Sequence, residues 1–208
     1  MKTELKIGEG TIDLERLRSV LHPSPVRHAF VQEDGVGDGE LISASVLFPI
    51  VLREEQPSVL FTQRTPHLKH HPGQISFPGG RVEPEDTSPA HTALREANEE
   101  IGLAPQHVEV VGYLPEYRTG TGYRVTPVVA LVTPPFELRR DPHEVAEIFE
   151  VPLAFLLDPA NIERHSSVLG GRLRNYFAMR FGDYFIWGVT AGIIVTLARA
   201  MADRSVVS

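Results

Sequence analysis

The chain has no cysteine in 208 residues. That excludes a disulfide framework and thiolate chemistry, and a reducing cytoplasm is the expected location. It also lacks an apolar run long enough to span a bilayer. The longest, Phe185 to Ala198, has 14 residues against the roughly 20 that a spanning helix needs, so a buried helix is expected there. The first residues, MKTELKIGEGTIDLERL, are charged throughout and have no signal-peptide core. Positive charge is in deficit, with 20 Lys and Arg against 27 Asp and Glu and a net charge of −7. Nonspecific binding to nucleic acid is therefore not expected, and an anionic substrate must be met by local cations or a metal. None of the nine histidines lies in an HExxH run, which argues against a zinc-protease site.

What is present is 42% hydrophobic and 23% charged residues, enough for one core and one domain over residues 1–208. The stretch Gly79 to Leu103 organises the rest. Ser88 is a suitable N-cap, Pro89 suits the first helical position and Gly102 supplies a stop, so a helix is expected between them. Ala90, Leu94, Ala97 and Ile101 recur at helical spacing and mark its core face. Glu96, Glu99 and Glu100 stand at i, i+3 and i+4, where like charges repel by roughly 0.2–0.5 kcal/mol per pair. Only Arg95 relieves them within the run. Three neighbouring carboxylates suit a hard dication, Mg²⁺ or Mn²⁺; taken alone, such a cluster also reads as a solvated face.

The cluster is not alone. Arg95 to Leu103, REANEEIGL, together with Gly79 and Gly80, resembles the box of the Nudix hydrolases, G-x5-E-x7-R-E-U-x-E-E-x-G-U, with U apolar. Every fixed position from Arg95 onward matches. The front half carries one extra residue, so the first glutamate falls on Asp86 counting forward from Gly80, or on Thr87 counting back from Arg95. Upstream, Leu60 to Gly80, LFTQRTPHLKHHPGQISFPGG, resembles the extra motif of the coenzyme A pyrophosphatases, L-L-T-x-R-[S/A]-x3-R-x3-G-x3-F-P-G-G. Lys69 there replaces an arginine and loses its bidentate fork.

These resemblances imply an α/β fold, the Nudix-type α/β/α sandwich with a mixed β-sheet. They also imply a metal site of Gly79 through its carbonyl, Glu96, Glu99 and Glu100, with Arg95 orienting a glutamate. Glu144, in a segment similar to the E-V-x5-V-P-L run of Nudix chains, is the candidate distal carboxylate, and either it or Glu96 would take the proton from attacking water. Arg64, Lys69 and Arg81 are candidates for substrate phosphates. Tyr117, Arg118 and Tyr123 are candidates to stack on or bond to a nucleotide, with packing at strand ends as the alternative. The implied reaction is hydrolysis of coenzyme A or a derivative to 3′,5′-ADP and 4′-phosphopantetheine. The alternatives are hydrolysis of ADP-ribose, NADH or a nucleoside triphosphate, and a noncatalytic nucleotide-sensing module. The partner is a small-molecule substrate, with no nucleic acid and no membrane, and a homodimer is left open.

Elsewhere the pattern places a helix over Thr11 to Leu21 and strands over Ala44 to Arg53, Ser58 to Arg64, Ile75 to Phe77, Val108 to Tyr117 and Tyr123 to Val132. Asp141 to Leu157 is read as a turn segment. The terminal stretch, Tyr184 to Ala202, is similar to the I-W-G-x-T-A segment of the coenzyme A pyrophosphatases. It is read as a strand running into a helix over about 188–203, with Trp187 in the core.

Overall fold

A computed structural model describes residues 4–7, 10–26, 30–32, 39–68, 71–169 and 172–203. The strands are β1 (Glu4–Ile7), β2 (Gly10–Asp13), β3 (Phe30–Gln32), β4 (Ile42–Val51), β5 (Ser58–Arg64), β6 (Ile75–Ser76), β7 (Gly79–Arg81), β8 (Val108–Tyr113), β9 (Glu116–Arg118), β10 (Tyr123–Val132), β11 (Val145–Pro152), β12 (Glu163–Leu169), β13 (Arg172–Phe181) and β14 (Tyr184–Trp187). The helices are α1 (Leu14–Val20), α2 (Pro89–Ile101), α3 (Leu153–Leu157) and α4 (Val189–Ala202).

The central sheet runs β11-β5-β4-β10-β9-β3, with β6, β7 and β8 paired to β5, β4 and β10. It is mixed: β4 and β10 are parallel, while β5 is antiparallel to both β4 and β11. Strand alternation sends successive side chains to opposite faces. Leu47, Val51, Leu60, Val128, Ala130 and Val132 pack with Ala93, Ala97 and Ile101 of α2. Phe48, Ile50, Val59, Phe61, Val129 and Leu131 pack on the other face with Ile194, Val195 and Leu197 of α4 and Leu17 of α1. The result is an α/β/α sandwich.

The sheet is built around a split. β4 and β5 pair only where Ile50 and Val51 meet Val59 and Ser58. Beyond that they diverge, and the returning chain fills the gap: Thr62 and Gln63 pair with Ser76 and Ile75, while Ala44, Ser45 and Val46 pair with Arg81, Gly80 and Gly79. The Gly79–Gly80 turn is thereby fixed inside the sheet instead of riding on a surface loop.

Several elements differ from the sequence reading. The first helix starts three residues late, because Gly10–Asp13 is taken into a hairpin with β1 and Asp13 becomes the N-cap, accepting from Glu15 N–H at 2.8 Å. Val108 to Tyr117 is two strands. Both run antiparallel along the same edge of β10, β8 against its far end and β9 against its start, with the ladder interrupted at Leu114 and Pro115. Asp141 to Leu157 is a turn followed by a full strand, β11, and the short α3. Trp187 is 39% exposed. On β14 it is Ile186, 0% exposed, that faces inward, leaving the indole outside against Tyr176. β14 is the strand expected ahead of the last helix, but β12 and β13, with which it forms a three-stranded sheet, had no counterpart in the sequence reading. α4 is capped by Gly188, at φ 65, and Thr190 donates its hydroxyl to the Ile75 carbonyl at 3.1 Å. Among the described residues no helix is long and apolar enough to cross a membrane.

Candidate active site

α2 begins and ends on the residues the sequence marks. Ser88 Oγ accepts from His91 N–H at 3.1 Å, Pro89 follows, and Gly102 closes the helix at φ 68 with its N–H on Asn98 O. Its core face is rotated from the expected stripe. Ala93 is fully buried and Ala90 and Leu94 only partly, which turns Glu100 inward to 6% exposure beside Ala97 and Ile101.

The inward turn brings α2 onto the glycine pair. Gly79 N–H donates to Glu100 Oε2 at 3.2 Å. A Cβ on Gly80 would overlap the Glu96 carboxylate, and one on Gly79 would overlap the Ser45 carbonyl. At Gly79 the clash is with the β4 backbone, so only glycine fits there, whereas at Gly80 the Glu96 carboxylate would have to move aside. Burial pushes the Glu100 carboxyl up to about 8; the Gly79 N–H opposes the rise, the Glu96 charge adds to it, and Arg64 and Glu144 act with smaller effects of opposite sign. Burial likewise raises Glu96, against the pull of Arg95. Glu144, exposed on the turn before β11, belongs to the same electrostatic cluster, since its charge acts on both.

Arg95 gathers the remaining charge. Its Nε and Nη2 donate to the two oxygens of Asp86 at 3.1 and 3.0 Å, Nη2 reaches the Arg81 carbonyl at 3.1 Å, and Nη1 lies 3.0 Å from both Glu96 Oε1 and Glu99 Oε2. The Asp86 side chain is 1% exposed, and the Arg95 guanidinium holds its carboxyl well below the usual carboxylate range. The Glu99 side chain is 58% exposed.

Beside Gly79 and Gly80 opens a cavity of about 540 Å³. Its lining combines the polar Arg64, Arg81, Thr119 and Tyr123 with the apolar Phe77, Val125, Val189 and Ile193. Three of the candidate substrate residues, Arg64, Arg81 and Tyr123, thus line one space. Tyr117 does not. It is 7% exposed in the core with its ring packed on Gly192 of α4. Arg118 is paired in register with Arg124 on the strand below and is not among the cavity residues. Lys69 lies outside the described residues. Sequence reasoning missed Thr119 and the α4 contribution, whereas His71, which the sequence offers with His67 and His70 as either a solvated loop or a phosphate contact, does line the cavity. It has a left-handed φ of 54 just before the Pro72–Gly73 turn.

Because Glu96 and Glu99 both turn toward Arg95, no three acidic or histidine side chains converge as a finished metal cage among the described residues. The donor chemistry nonetheless fits a hard dication. Every candidate ligand is an oxygen, and two carboxylates are held against one glycine turn in surroundings that disfavour their charge.

The structure is thus a mixed-sheet sandwich with an acidic helix locked to a glycine turn, and sequence comparison gives the family. The NUDIX domain pattern matches residues 43–169, and the chain belongs to the Nudix hydrolase family. It is 40% identical over 190 residues to the uncharacterized Nudix hydrolase NudL of Klebsiella pneumoniae, covering 89% of this chain and 91% of that one. The Escherichia coli protein of the same description is 45% identical over 155 residues, covering 74% and 80%. Among solved structures, a MutT/nudix family protein from Enterococcus faecalis aligns with 77% of this chain and 62% of its own, at 19% identity and TM-score 0.48. The NUDIX domain of Shewanella oneidensis NrtR, complexed with ADP ribose, aligns with 58% and 78%, at 22% identity and TM-score 0.44.

Proposed function

We propose that this Nudix hydrolase cleaves the pyrophosphate bond of coenzyme A or its derivatives, releasing 3′,5′-ADP and 4′-phosphopantetheine. The observation that supports this most is the meeting of two ends of one sequence motif: Arg64, closing β5, and Gly79–Gly80, opening β7, line the same cavity. The apolar residues of that lining suit an uncharged arm, and its arginines suit phosphates.

The Gly79 carbonyl, Glu96, Glu99 and Glu100 would hold Mg²⁺ or Mn²⁺, which when bound neutralises diphosphate charge and acidifies a coordinated water. The protein's own groups do the rest. Asp86 fixes Arg95, and Arg95 holds Glu96 and Glu99 at the open end of the glycine turn. Glu96 or Glu144 accepts the proton of the attacking water, both being carboxylates of the same cluster. Arg64, Arg81 and Lys69 bind phosphate oxygens and fix the diphosphate, which is where most of the rate enhancement in phosphoryl chemistry arises.

The test is turnover of coenzyme A, ADP-ribose, NADH and nucleoside triphosphates side by side with Mg²⁺ or Mn²⁺. Coenzyme A should give the highest kcat/KM. Preference for ADP-ribose or NADH would retain the metal site and overturn the substrate.

A further inference from the structure

Two arginines line the cavity, Arg64 and Arg81, and among the described residues no ion pair joins either to an acid. Arg81 closes β7 immediately after the glycine turn. Its partner is neutral. Nε and Nη2 both donate to the Tyr123 hydroxyl, at 3.2 and 2.6 Å, and Cζ lies 5.5 Å from the centroid of the Tyr123 ring. Arg95, by contrast, is surrounded by Asp86, Glu96 and Glu99.

Tyr123 is itself firmly mounted. It opens β10 in register with Ile42 of β4, its N–H donates to Thr119 Oγ1 at 3.0 Å, and its carbonyl accepts from Thr119 N–H at 2.9 Å. A phenol and a ring face orient a guanidinium without neutralising it. The Nη1 hydrogens and one on Nη2 remain for an anion, a fork that matches two oxygens of a phosphate. Ordering a long side chain before binding also removes its rotamer entropy from the cost of association.

We propose that Tyr123 is a positioning residue that holds Arg81 over the cavity as a preformed site for a phosphate group of the substrate. This rests on the pyrophosphohydrolase reading given above. The phosphate is either part of the scissile diphosphate or a separate monoester on the sugar, and both present the same oxygens to the fork.

Steady-state kinetics of Tyr123→Phe, Arg81→Ala and the double variant test it, with coenzyme A and with its form lacking the 3′-phosphate. Tyr123→Phe keeps the ring and removes the hydroxyl. It should raise KM about three- to tenfold with kcat within about twofold, while Arg81→Ala raises KM about tenfold or more. The double variant should be no worse than Arg81→Ala, since Tyr123 acts through Arg81. A rise with both substrates assigns Arg81 to the diphosphate, and a rise confined to coenzyme A assigns it to the 3′-phosphate; either supports the inference. Unchanged KM in Tyr123→Phe, a loss confined to kcat, or a Tyr123→Phe effect that persists in full without Arg81 overturns it. If the wild type cleaves neither compound, the coenzyme A reading fails on its own, and the same cycle is run on whichever diphosphate the wild type does cleave. If it cleaves none, dissociation constants for ADP replace KM.

Discussion

Asp86 and Arg95 face each other through two parallel N–H···O bonds of 3.1 and 3.0 Å, with the carboxylate almost wholly buried. Of the two residues that counting offers for the first acidic position of the box, Asp86 and Thr87, it is the acid that pairs with Arg95, while Thr87 and Ser88 lead into α2. Glu83 N–H also donates to Asp86, at 2.9 Å, so the aspartate ties the loop to the helix as well as fixing the arginine.

Removing that carboxylate should therefore matter and its neighbour should not. Asp86→Ala is expected to cost about 1.5–3 kcal/mol, the range for hydrogen bonds to charged groups, and to lower kcat by freeing Arg95 from its seat. Thr87→Ala should stay within about 0.5 kcal/mol. Denaturant unfolding of the two variants checks both.

Two carboxyls give the metal-free protein opposite responses to pH. Asp86 titrates below its unfolded value of about 3.9, so its contribution is present above that pH and is lost as pH falls further. Glu100 titrates above its unfolded value of about 4.3, so the folded state holds an extra proton and stability declines as pH rises from about 4.3 toward about 8. With chelator present, unfolding free energy should fall across that second window, by at most about 1.4 kcal/mol per pH unit. Glu100→Gln should flatten the decline. A decline of the same slope in Glu100→Gln would place its origin elsewhere.

Gly80 has no room for a methyl group because the Glu96 carboxylate occupies that space. Gly80→Ala should displace Glu96 and reduce kcat about 100-fold or more, the scale of a misplaced catalytic group. Gly122→Ala makes a useful contrast. Gly122 also has positive φ, 89, but nothing lies within 4 Å of a Cβ there, so that variant should lose roughly 1 kcal/mol of stability and retain kcat.

The sequence made α2 legible to the residue, because Ser88, Pro89 and Gly102 are signals that act locally and need no partner. β10 was legible for a similar reason, as a long apolar run bounded by turn residues. What escaped depends on which strand meets which. Nothing local to Ile75–Arg81 says that β4 and β5 diverge to admit it. Nothing in the spacing of Tyr117 and Tyr123 says that the first packs on Gly192 while the second faces the cavity. Glu100 looked equivalent to Glu96 and Glu99, yet the rotation of α2 that buries Ala93 also buries Glu100, and so separates three adjacent carboxylates into buried, half-buried and exposed.

The most direct test of the central claim is metal-dependent release of 3′,5′-ADP from coenzyme A by the wild type and by Glu99→Gln. Glu99 is the exposed member of the cluster, so its substitution leaves the packing of α2 intact. The account expects rapid release by the wild type with Mg²⁺ or Mn²⁺ and a loss of about 100-fold or more in a folded Glu99→Gln variant. Equal turnover by the two proteins would contradict it.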